Sequence, residues 1–284
     1  EMCIRDSMSM GLAVCHWLMD NKDKLSGKVK ILFQPAEEGV RGAAGMAASG
    51  ILDDCDYFLS SHVAMLAKSG ELATNLYGFL CTTKYDVTFN GRASHAGVSP
   101  QEGRNALAAA ANATVQMLGI SRHGGGMTRI NIGQLVAGEG RNVIPSKAVM
   151  KLEVRGETME INNYMSEQVT NIVEGIAKGF SVTYDMRKMG EAVDLTADQE
   201  LIDILNESGR EVGLKVLDKP LNFGGSEDAT ILARRVQAHG GKAAFFVWGS
   251  DRPSGHHSAL FDIQEKDMAP AFDLWMHVLP KILK

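Results

Sequence analysis

The sequence predicts an α/β fold in which a mostly parallel sheet flanked by helices is interrupted by a smaller inserted domain. Apolar runs typical of buried strands, such as ILFQ (31–34) and AAFFVWG (243–249), alternate with helical patterns towards both ends of the chain. In the middle, the order of predicted elements becomes β-α-β-β-α-β, which is typical of a ferredoxin-like unit. We therefore expect residues 8–80 and 191–284 to form one domain and residues 81–190 to form the inserted one.

The first part of the chain predicts a helix, a strand, a second helix and a second strand. The first helix is indicated by apolar residues at helical spacing, namely Met8, Leu12, Cys15 and Leu18. GKVKILFQ (27–34) and CDYFLSSHV (55–63) are predicted strands. Small helix-compatible residues fill 39–49 between them, and Gly50 is a plausible C-cap.

The inserted segment predicts four strands and two long helices. Its elements in order are a strand at 83–91, a helix at 105–117, strands at 128–138 and 147–157, a helix at 160–179 and a strand at 180–189. Helix–strand alternation resumes at Asp198. The chain then ends in a helix that carries Met268, Phe272, Trp275 and Leu279 on one face.

Composition argues against several classes of function. The formal net charge is −5, with both signs scattered along the chain and no basic block, so a nucleic-acid partner is not expected. No apolar run approaches the roughly 20 residues that span a bilayer, so no membrane-spanning segment is expected. The four cysteines are irregularly spaced without a CxxC pair, which favours a reducing cytoplasm over a disulfide framework.

The first seven residues, EMCIRDS, differ in character from the rest of the chain. They lack the apolar centre of a signal peptide. They also match one reading frame of a transposon end that is used in preparing sequencing libraries. We therefore expect residues 1–7 to be non-native and a longer gene to have been cut upstream of Met8.

Glu37 and Glu38 form an adjacent pair of carboxylates directly after the predicted strand 27–34. Adjacent acids repel each other, and a divalent cation offsets that repulsion. One carboxylate can then bind the metal while its neighbour accepts a proton from the attacking water. The alternative is a pair of acids stabilised by a helix N-terminus, which on its own is the commoner explanation for two glutamates at a helix start.

Histidines at predicted strand ends favour the metal interpretation. His62 lies near the end of the strand 55–63, and the GHHS segment (255–258) follows the strand AAFFVWG. Together with Glu37 and Glu38, they supply the nitrogen and oxygen donors expected around zinc or manganese. The sequence does not decide between His256 and His257, and we do not expect both to bind metal.

Eight motifs in order resemble the aminoacylase and amino-acid-conjugate hydrolase family of two-metal peptidases. The motifs are FQPAEEGVRGA, SSHV, GRASHAG, EGRNALAAAA, GRNVIP, EVRGET, GGSEDAT and GHHSALFDI. Each is weak alone, whereas eight in the family's order, from Met8 to the C-terminus, make a specific signal. The resemblance implies a metallo-amidohydrolase with two divalent ions, Mn2+ or Zn2+.

Within that resemblance, the acidic pair and the histidines receive separate roles. Glu37 matches the family's general base, and Glu38 matches a metal ligand. His62 and His257 match two further metal ligands, which makes His256 the neighbour of a ligand.

The resemblance also implies a substrate site shared between two chains. The inserted domain would act as a lid and as the dimerisation domain of a homodimer or of a heterodimer with a related subunit. His95 matches the histidine that reaches the other protomer's active site and polarises the scissile carbonyl. Asn142 and Arg155 match residues that bind the transition state and the substrate carboxylate, with Asn142 expected beside Arg155.

The motif GGSEDAT has two interpretations. Gly225 and Ser226 would lie near the substrate in the related proteins. On purely structural grounds, Gly224 and Gly225 could end a strand, and Ser226 could be the N-cap of the next helix.

One element of the family is missing from this sequence. The family's first metal-binding segment, a histidine or cysteine followed by GHDxH, is expected just before MSMGLAV, where EMCIRDS stands instead. Cys3 is not a credible replacement if those residues are foreign. We therefore expect only part of the two-metal site in this chain.

The function implied is hydrolysis of the amide bond of N-acyl amino acids, above all N-aroyl glutamates such as p-aminobenzoyl-glutamate. The alternatives are an amidohydrolase for another N-acyl or indole-acetyl amino acid, or a non-catalytic partner subunit with the same fold. Nothing in the sequence identifies the acyl group.

Overall fold

The computed structural model describes residues 2–256 and 258–283, with side chains from residue 4 onwards. Its helices are α1 (Met2–Asn21), α2 (Gly42–Ala48), α3 (Ala106–Leu118), α4 (Met159–Gly179), α5 (Gln199–Glu211), α6 (Ala229–Ala238) and α7 (Met268–Ile282). Its strands are β1 (Tyr57–Val63), β2 (Glu71–Ala73), β3 (Leu76–Tyr77), β4 (Cys81–Asn90), β5 (Thr128–Ala137), β6 (Lys147–Gly156), β7 (Thr183–Ala192), β8 (Lys215–Val216), β9 (Leu221–Asn222) and β10 (Lys242–Trp248). None of the helices in this described part is long and apolar enough to span a membrane.

The first sheet has four strands in the order β1-β10-β2-β8. β1 and β10 run parallel along their whole length, from the pair Tyr57–Lys242 to the pair Val63–Trp248. β2 joins β10 in the antiparallel direction and β8 in the parallel direction. We call the end of this sheet at Val63 and Trp248 the carboxyl edge, because open α/β sheets place ligand sites beyond the carboxyl ends of their parallel strands.

Strand β10 is buried on both faces, which explains its uninterrupted apolar sequence. Phe246 packs into one hydrophobic core together with residues of α1, α5 and α7. Its neighbour Phe245 points to the opposite face and packs with residues that include α6. The predicted apolar face of the last helix is confirmed, since Met268, Phe272, Trp275 and Leu279 all lie in α7 and the first three pack against the core of Phe246. Helices therefore cover both faces of the sheet.

The second sheet is antiparallel, in the order β5-β6-β4-β7. Helices α3 and α4 pack on one face of it around a core that contains Phe89, Met150 and Met165. The chain order β4-α3-β5-β6-α4-β7 is the predicted β-α-β-β-α-β order. The α/β fold class is confirmed, whereas the predicted domain boundaries at 81 and 190 stay a prediction.

The two ends of this antiparallel sheet differ in what they contact. Cys81, Gly156 and Ala192 lie at one end, which we call the junction end because the chain enters and leaves the sheet there. Asn90 and Lys147 lie at the other end, which we call the tip. Eight residues of strand separate the ends, which corresponds to roughly 25 Å.

The predicted strand at 27–34 is wrong. Residues 28–34 form no strand in the structure, and Phe33 is 48% exposed. This segment and β1 both line a cavity of about 640 Å³. Strand pairing needs backbones about 4.8 Å apart, and in the described part of the chain β1 forms its ladder with β10 and none with residues 28–34. An apolar sequence favours burial but does not provide a hydrogen-bonding neighbour.

Candidate metal and amide-hydrolysis site

Glu37 and Glu38 lie in a tight turn, residues 35–42, which we call the acidic turn. Glu37–Gly39 form a single 3-10 turn, bounded by Ala36 at φ 60° and Val40 at φ 50°. Left-handed backbone is rare for non-glycine residues, and it is a clear outlier for a β-branched valine. Each such residue stores about 1–3 kcal/mol of strain that the surrounding structure must support. The helix α2 begins only at Gly42, so the pair lies in this single 3-10 turn and not at the N-terminus of an α-helix.

Two glycines allow the close contacts that hold this turn. A Cβ on Gly42 would lie 1.8 Å from the carbonyl oxygen of Pro35, so only glycine lets the turn close on itself. A Cβ on Gly190, in β7, would lie 2.3 Å from the carbonyl oxygen of Gly39. Beside it, the amide of Glu191 donates a hydrogen bond of 2.7 Å to the carbonyl oxygen of Val40. The acidic turn is therefore anchored to the junction end of the antiparallel sheet.

The two members of the acidic pair have different environments. Glu37 is half-buried, whereas Glu38 is exposed. Carboxylate oxygens of Glu37, Glu227 and Asp228 lie within 4.8 Å of one another. The cluster therefore contains the predicted base, Glu37, rather than the predicted ligand, Glu38.

Glu227 and Asp228 add two buried acids to the site. Burial, followed by the proximity of Glu37, raises the pKa of Glu227 to about 8. Burial also raises the pKa of Asp228, against the opposing effect of a hydrogen bond from Gln34. The surroundings of these acids disfavour their ionised forms. A divalent cation bound beside them would stabilise those ionised forms.

Helix α6 places these acids at the carboxyl edge. Its residue Gln237, near the C-terminal end, donates to the Asp198 carboxylate, which also accepts from the backbone amide of Ala243 at the start of β10. Because α6 packs along β1 and β10, its other end lies towards the carboxyl ends of those strands. Glu227 and Asp228 directly precede that end. The acids therefore lie at the same edge as His62, near the end of β1.

One ring nitrogen of His62 makes the backbone hydrogen bond that is common in metal-binding histidines. Its Nδ1 lies 2.8 Å from the carbonyl oxygen of Val63 and is placed to donate to it. Metal-binding histidines commonly donate one ring N–H to a carbonyl and coordinate through the other nitrogen. The segment that follows has left-handed residues at Ala64 (φ 57°) and Leu66 (φ 61°). The acidic turn and the segment that follows His62 thus both contain strained backbone.

His256 is the histidine that the structure brings to His62. Their ring centroids are 5.1 Å apart, with the rings nearly perpendicular. His256 also packs on Phe261, at 4.6 Å between ring centroids. His257, the predicted ligand, lies outside the described residues, so its role stays a prediction.

The donors at the carboxyl edge suit a divalent metal of the zinc or manganese type. Three carboxylates lie within 4.8 Å of one another, and two imidazole rings lie 5.1 Å apart near the end of the adjacent strand. Mixed carboxylate and imidazole ligands fit Zn2+ and Mn2+ better than Ca2+ or Cu+. The residues present therefore fit the expected metal.

His95 and Asn142 lie together at the tip of the antiparallel sheet. His95 forms a bridge with Val143, and the amide of Ala96 donates to the carbonyl oxygen of Asn142. The His95 side chain is exposed, and its Nδ1 accepts hydrogen bonds from the amides of Gly97 and Val98.

Arg155 lies at the opposite end of β6, the junction end. It pairs across the sheet with Thr82, one residue from the entry point of the chain. Side chains alternate along this strand, since Leu152 and Val154 are buried against the helices while Arg155 occupies the open face. Its Nε donates to Glu153 at 3.0 Å. Asn142 therefore does not stand beside Arg155 within one chain, because almost the whole of β6 separates them.

Gly225 and Ser226 lie in the loop before α6. The carbonyl oxygen of Gly225 accepts a hydrogen bond from the amide of Leu80, and Ser226 Oγ is buried. The alternative role of Ser226 as an N-cap is wrong, because α6 begins at Ala229. The Glu227 carboxylate accepts from the Ala229 amide instead.

Glu227 and Asp228 are site residues that the sequence did not predict. They lie within the motif GGSEDAT, of which only Gly225 and Ser226 were predicted to lie near the substrate. The available signal was a second pair of adjacent acids after a glycine turn, like Glu37 and Glu38. Which two acidic pairs meet is a matter of tertiary structure, and no local pattern shows it.

Comparison with known proteins decides the family. The sequence pattern of peptidase family M20/M25/M40 matches residues 4–281. The chain belongs to this family. The resemblance to two-metal peptidases expected from the motifs is thereby confirmed.

Two relatives are named for amino acids joined to an acyl group that contains an aromatic ring. The chain is 52% identical over 283 residues to a Haemophilus influenzae homolog of the A-type subunit of p-aminobenzoyl-glutamate hydrolase, covering 99% of this chain and 67% of that one. It is 40% identical over 267 residues to the indole-3-acetyl-aspartic acid hydrolase of Enterobacter agglomerans, covering 93% and 61%. The chain thus spans about two thirds of the length of these relatives.

Solved structures share the fold. The aminobenzoyl-glutamate utilization protein of Klebsiella pneumoniae superposes with a TM-score of 0.86 at 38% identity, over 96% of this chain and 66% of that one. A dinuclear metal-binding peptidase of Bacillus subtilis superposes with a TM-score of 0.69 at 18% identity, over 96% and 70%. The second likeness shows the fold alone, within a family that includes a two-metal enzyme.

The raised pKa of Glu227 predicts a pH dependence of stability in the metal-free chain. Between its ordinary value of 4.5 and about 8, Glu227 holds a proton in the folded state but not in the unfolded state. Stability contributed by this group therefore falls as the pH rises through that window. Glu227→Gln should flatten the fall, measured by denaturant unfolding in chelator from pH 5 to 8. Glu139→Gln, at an exposed site, should leave the profile unchanged, and equal profiles for all three proteins would contradict the assignment.

Proposed function

We propose that this chain belongs to an enzyme that hydrolyses the amide bond of N-acyl amino acids, with p-aminobenzoyl-glutamate as the favoured substrate and p-aminobenzoate and glutamate as products. The observation that carries the proposal is the acidic turn. A half-buried glutamate beside two buried acids, at the same sheet edge as two adjacent histidines, is an arrangement suited to metal-assisted hydrolysis. The 52% identity to a homolog of one p-aminobenzoyl-glutamate hydrolase subunit supports the choice of substrate.

Two divalent ions, Mn2+ or Zn2+, are the proposed cofactors. Glu38, His62 and His257 would hold metal in this chain, and the remaining ligands would come from the family's first metal-binding segment. Bound metal would polarise the amide carbonyl and make the attacking water more acidic. The exposed Glu38 and the half-buried Glu37 face different surroundings, as two separate roles require.

Glu37 is the proposed general base. It accepts one proton from water as the water oxygen bonds to the amide carbonyl carbon. It then delivers that proton to the amide nitrogen as the carbon–nitrogen bond breaks, which releases the carboxylic acid and the amine of the amino acid. Its position in a braced, strained turn suits a group that must meet the substrate in one geometry. Gly225 and Ser226, just before Glu227, are proposed to contact the substrate nearby.

Arg155 is the proposed partner of the substrate carboxylate. A guanidinium presents planar donors that match a carboxylate in two hydrogen bonds, whereas a lysine does not. Arg155 lies on the open face at the junction end, where the acidic turn is anchored. Glu153 holds its Nε at 3.0 Å and so orients the side chain.

His95 and Asn142 are proposed to serve the site of a second chain. They lie at the tip, roughly 25 Å along the strands from the junction end. His95 would there stabilise the oxyanion that develops on the amide carbonyl. The free edge of β5 and the exposed apolar side chains of α3, such as Val115 at 72%, offer a surface for that chain. The partner is a second copy or a related subunit, in keeping with the relative's designation as one subunit of a hydrolase.

A second candidate substrate is an indole-acetyl amino acid. The observation that favours it is the 40% identity to an indole-3-acetyl-aspartic acid hydrolase. Comparing kcat/KM for p-aminobenzoyl-glutamate and indole-3-acetyl-aspartate decides between the two.

We place the enzyme in the cytoplasm, since Cys15, Cys55 and Cys81 are free thiols.

Substitutions of the two glutamates test the reaction directly. Glu37→Gln in the product of the complete gene should lower kcat for p-aminobenzoyl-glutamate by about 10²–10⁴-fold, because the proton acceptor is lost. Its metal content should stay close to wild type. Glu38→Gln should instead weaken metal binding, measured by equilibrium dialysis and elemental analysis.

Glu265→Gln, at an exposed site, is the control and should match wild type in both assays. An exchange of behaviour between the Glu37 and Glu38 variants would reverse their roles. Absence of hydrolysis in a fully metal-loaded wild type would contradict the proposed function itself.

Mixing two inactive variants tests whether His95 acts on the second chain. His95→Ala and Glu37→Gln should each be nearly inactive as pure dimers. A mixed dimer contains one site with both residues intact, so random exchange of equal amounts should restore about a quarter of the wild-type rate. Subunit exchange is followed by native mass spectrometry. Complete exchange without recovered activity would exclude the shared site.

A further inference from the structure

We propose that Asp228 is a positioning residue that holds both flanks of the acidic turn and thereby fixes the place of Glu37. This inference deepens the proposed function and rests on it for the role of Glu37. Asp228 is a buried carboxylate to which the sequence motifs assigned no role.

The Asp228 carboxylate bonds to the chain on either side of the acidic turn. Gln34, directly before the turn, donates from Nε2 to Asp228 Oδ1 at 2.6 Å. Ala43, directly after the turn, donates its backbone amide to Asp228 Oδ2 at 3.3 Å. One side chain with two acceptor oxygens thus joins both ends of the segment 35–42.

The turn needs such support because its backbone is strained. Ala36 and Val40 are both left-handed, and an unsupported turn would relax towards commoner conformations. The hydrogen bond from Glu191 to Val40 holds the far side of the turn. Gln34 and Ala43 mark its two ends, and Asp228 reaches both of them from a single point.

Asp228 is itself held firmly. It is fully buried and occupies the position before the first residue of α6. Thr230 Oγ1 donates to the carbonyl oxygen of Glu227 at 2.6 Å and fixes the loop on the preceding side. Because α6 packs on β1, the carboxylate connects the acidic turn to the sheet that carries His62.

The choice of substitution follows from the hydrogen-bond pattern. Asp228→Asn alone is a mild change, since the Gln34 amide can rotate and present its oxygen to the new amide group. Gln34→Glu is severe, because it places a second carboxylate against Asp228. The double variant Gln34→Glu with Asp228→Asn, which we call the exchanged pair, restores both hydrogen bonds and keeps the total charge. The bond between residues 34 and 228 then runs in the opposite direction, with residue 228 as the donor.

The experiment measures backbone amide exchange in the 284-residue chain and kinetics in the product of the complete gene. Gln34→Glu should speed exchange of the Ala43 amide by about tenfold or more. It should lower kcat on the order of a hundredfold with KM within about threefold, because a misplaced base slows chemistry more than binding. The exchanged pair should recover most of both losses.

A matched control lies at the other end of the same helix. Asp198 Oδ2 accepts hydrogen bonds from Gln237 Nε2 at 2.7 Å and from the Ala243 amide at 2.8 Å, the same pattern away from the carboxyl edge. Gln237→Glu should lower Tm as an ordinary destabilising change. It should leave Ala43 exchange and kcat within about threefold of wild type.

Three results would overturn the positioning role. They are unchanged Ala43 exchange and kcat in Gln34→Glu, no recovery in the exchanged pair, and an equal loss of kcat in Gln237→Glu. The failure of the proposed function is distinguishable from these. If wild type hydrolyses no N-acyl amino acid while amide exchange still follows the expected pattern, Asp228 holds the turn and the assigned reaction is wrong.

Discussion

Repulsion among one half-buried and two buried carboxylates is the constraint on which the rest of this site depends. Glu37, Glu227 and Asp228 bring oxygens within 4.8 Å of one another in surroundings that exclude much of the water. Like charges at such distances repel by about 4 kcal/mol per pair at the effective dielectric of a protein. The chain has two ways to limit this repulsion. It can keep Glu227 protonated, as its pKa of about 8 indicates, or it can bind a cation. Both fit a site that handles metal and protons.

The fold supplies the means to hold this unfavourable arrangement. The sheet core around Phe245 and Phe246 is apolar on both faces, and it fixes β1, β10 and α6 relative to one another. The acids and histidines sit where these elements end, beyond the core. The acidic turn is then held from two sides, by Asp228 and by the junction end of the antiparallel sheet at Glu191. Movement of that sheet relative to α6 would therefore displace Glu37.

Much of this organisation could be predicted from sequence, and the failures have physical causes. The β-α-β-β-α-β order followed from periodicity, because the elements are long and amphipathic. The strand at 27–34 failed because pairing depends on a neighbour that no local pattern reveals. The meeting of Glu37 with Glu227 and Asp228 was missed because the two loops lie far apart along the chain. The expected placement of Asn142 beside Arg155 was wrong for a related reason. The two residues are close in sequence, but the extended strand β6 runs between them and places them at opposite ends of the sheet.

The most direct measurement is anomalous diffraction at the manganese edge from crystals of the complete gene product grown with Mn2+. The account predicts anomalous peaks at the carboxyl edge, within coordination distance of the Glu38 carboxylate and a ring nitrogen of His62, with the Glu37 carboxylate next to the metal but not bound to it. Peaks elsewhere on the molecule, or none at this edge in crystals of demonstrated manganese content, would contradict it.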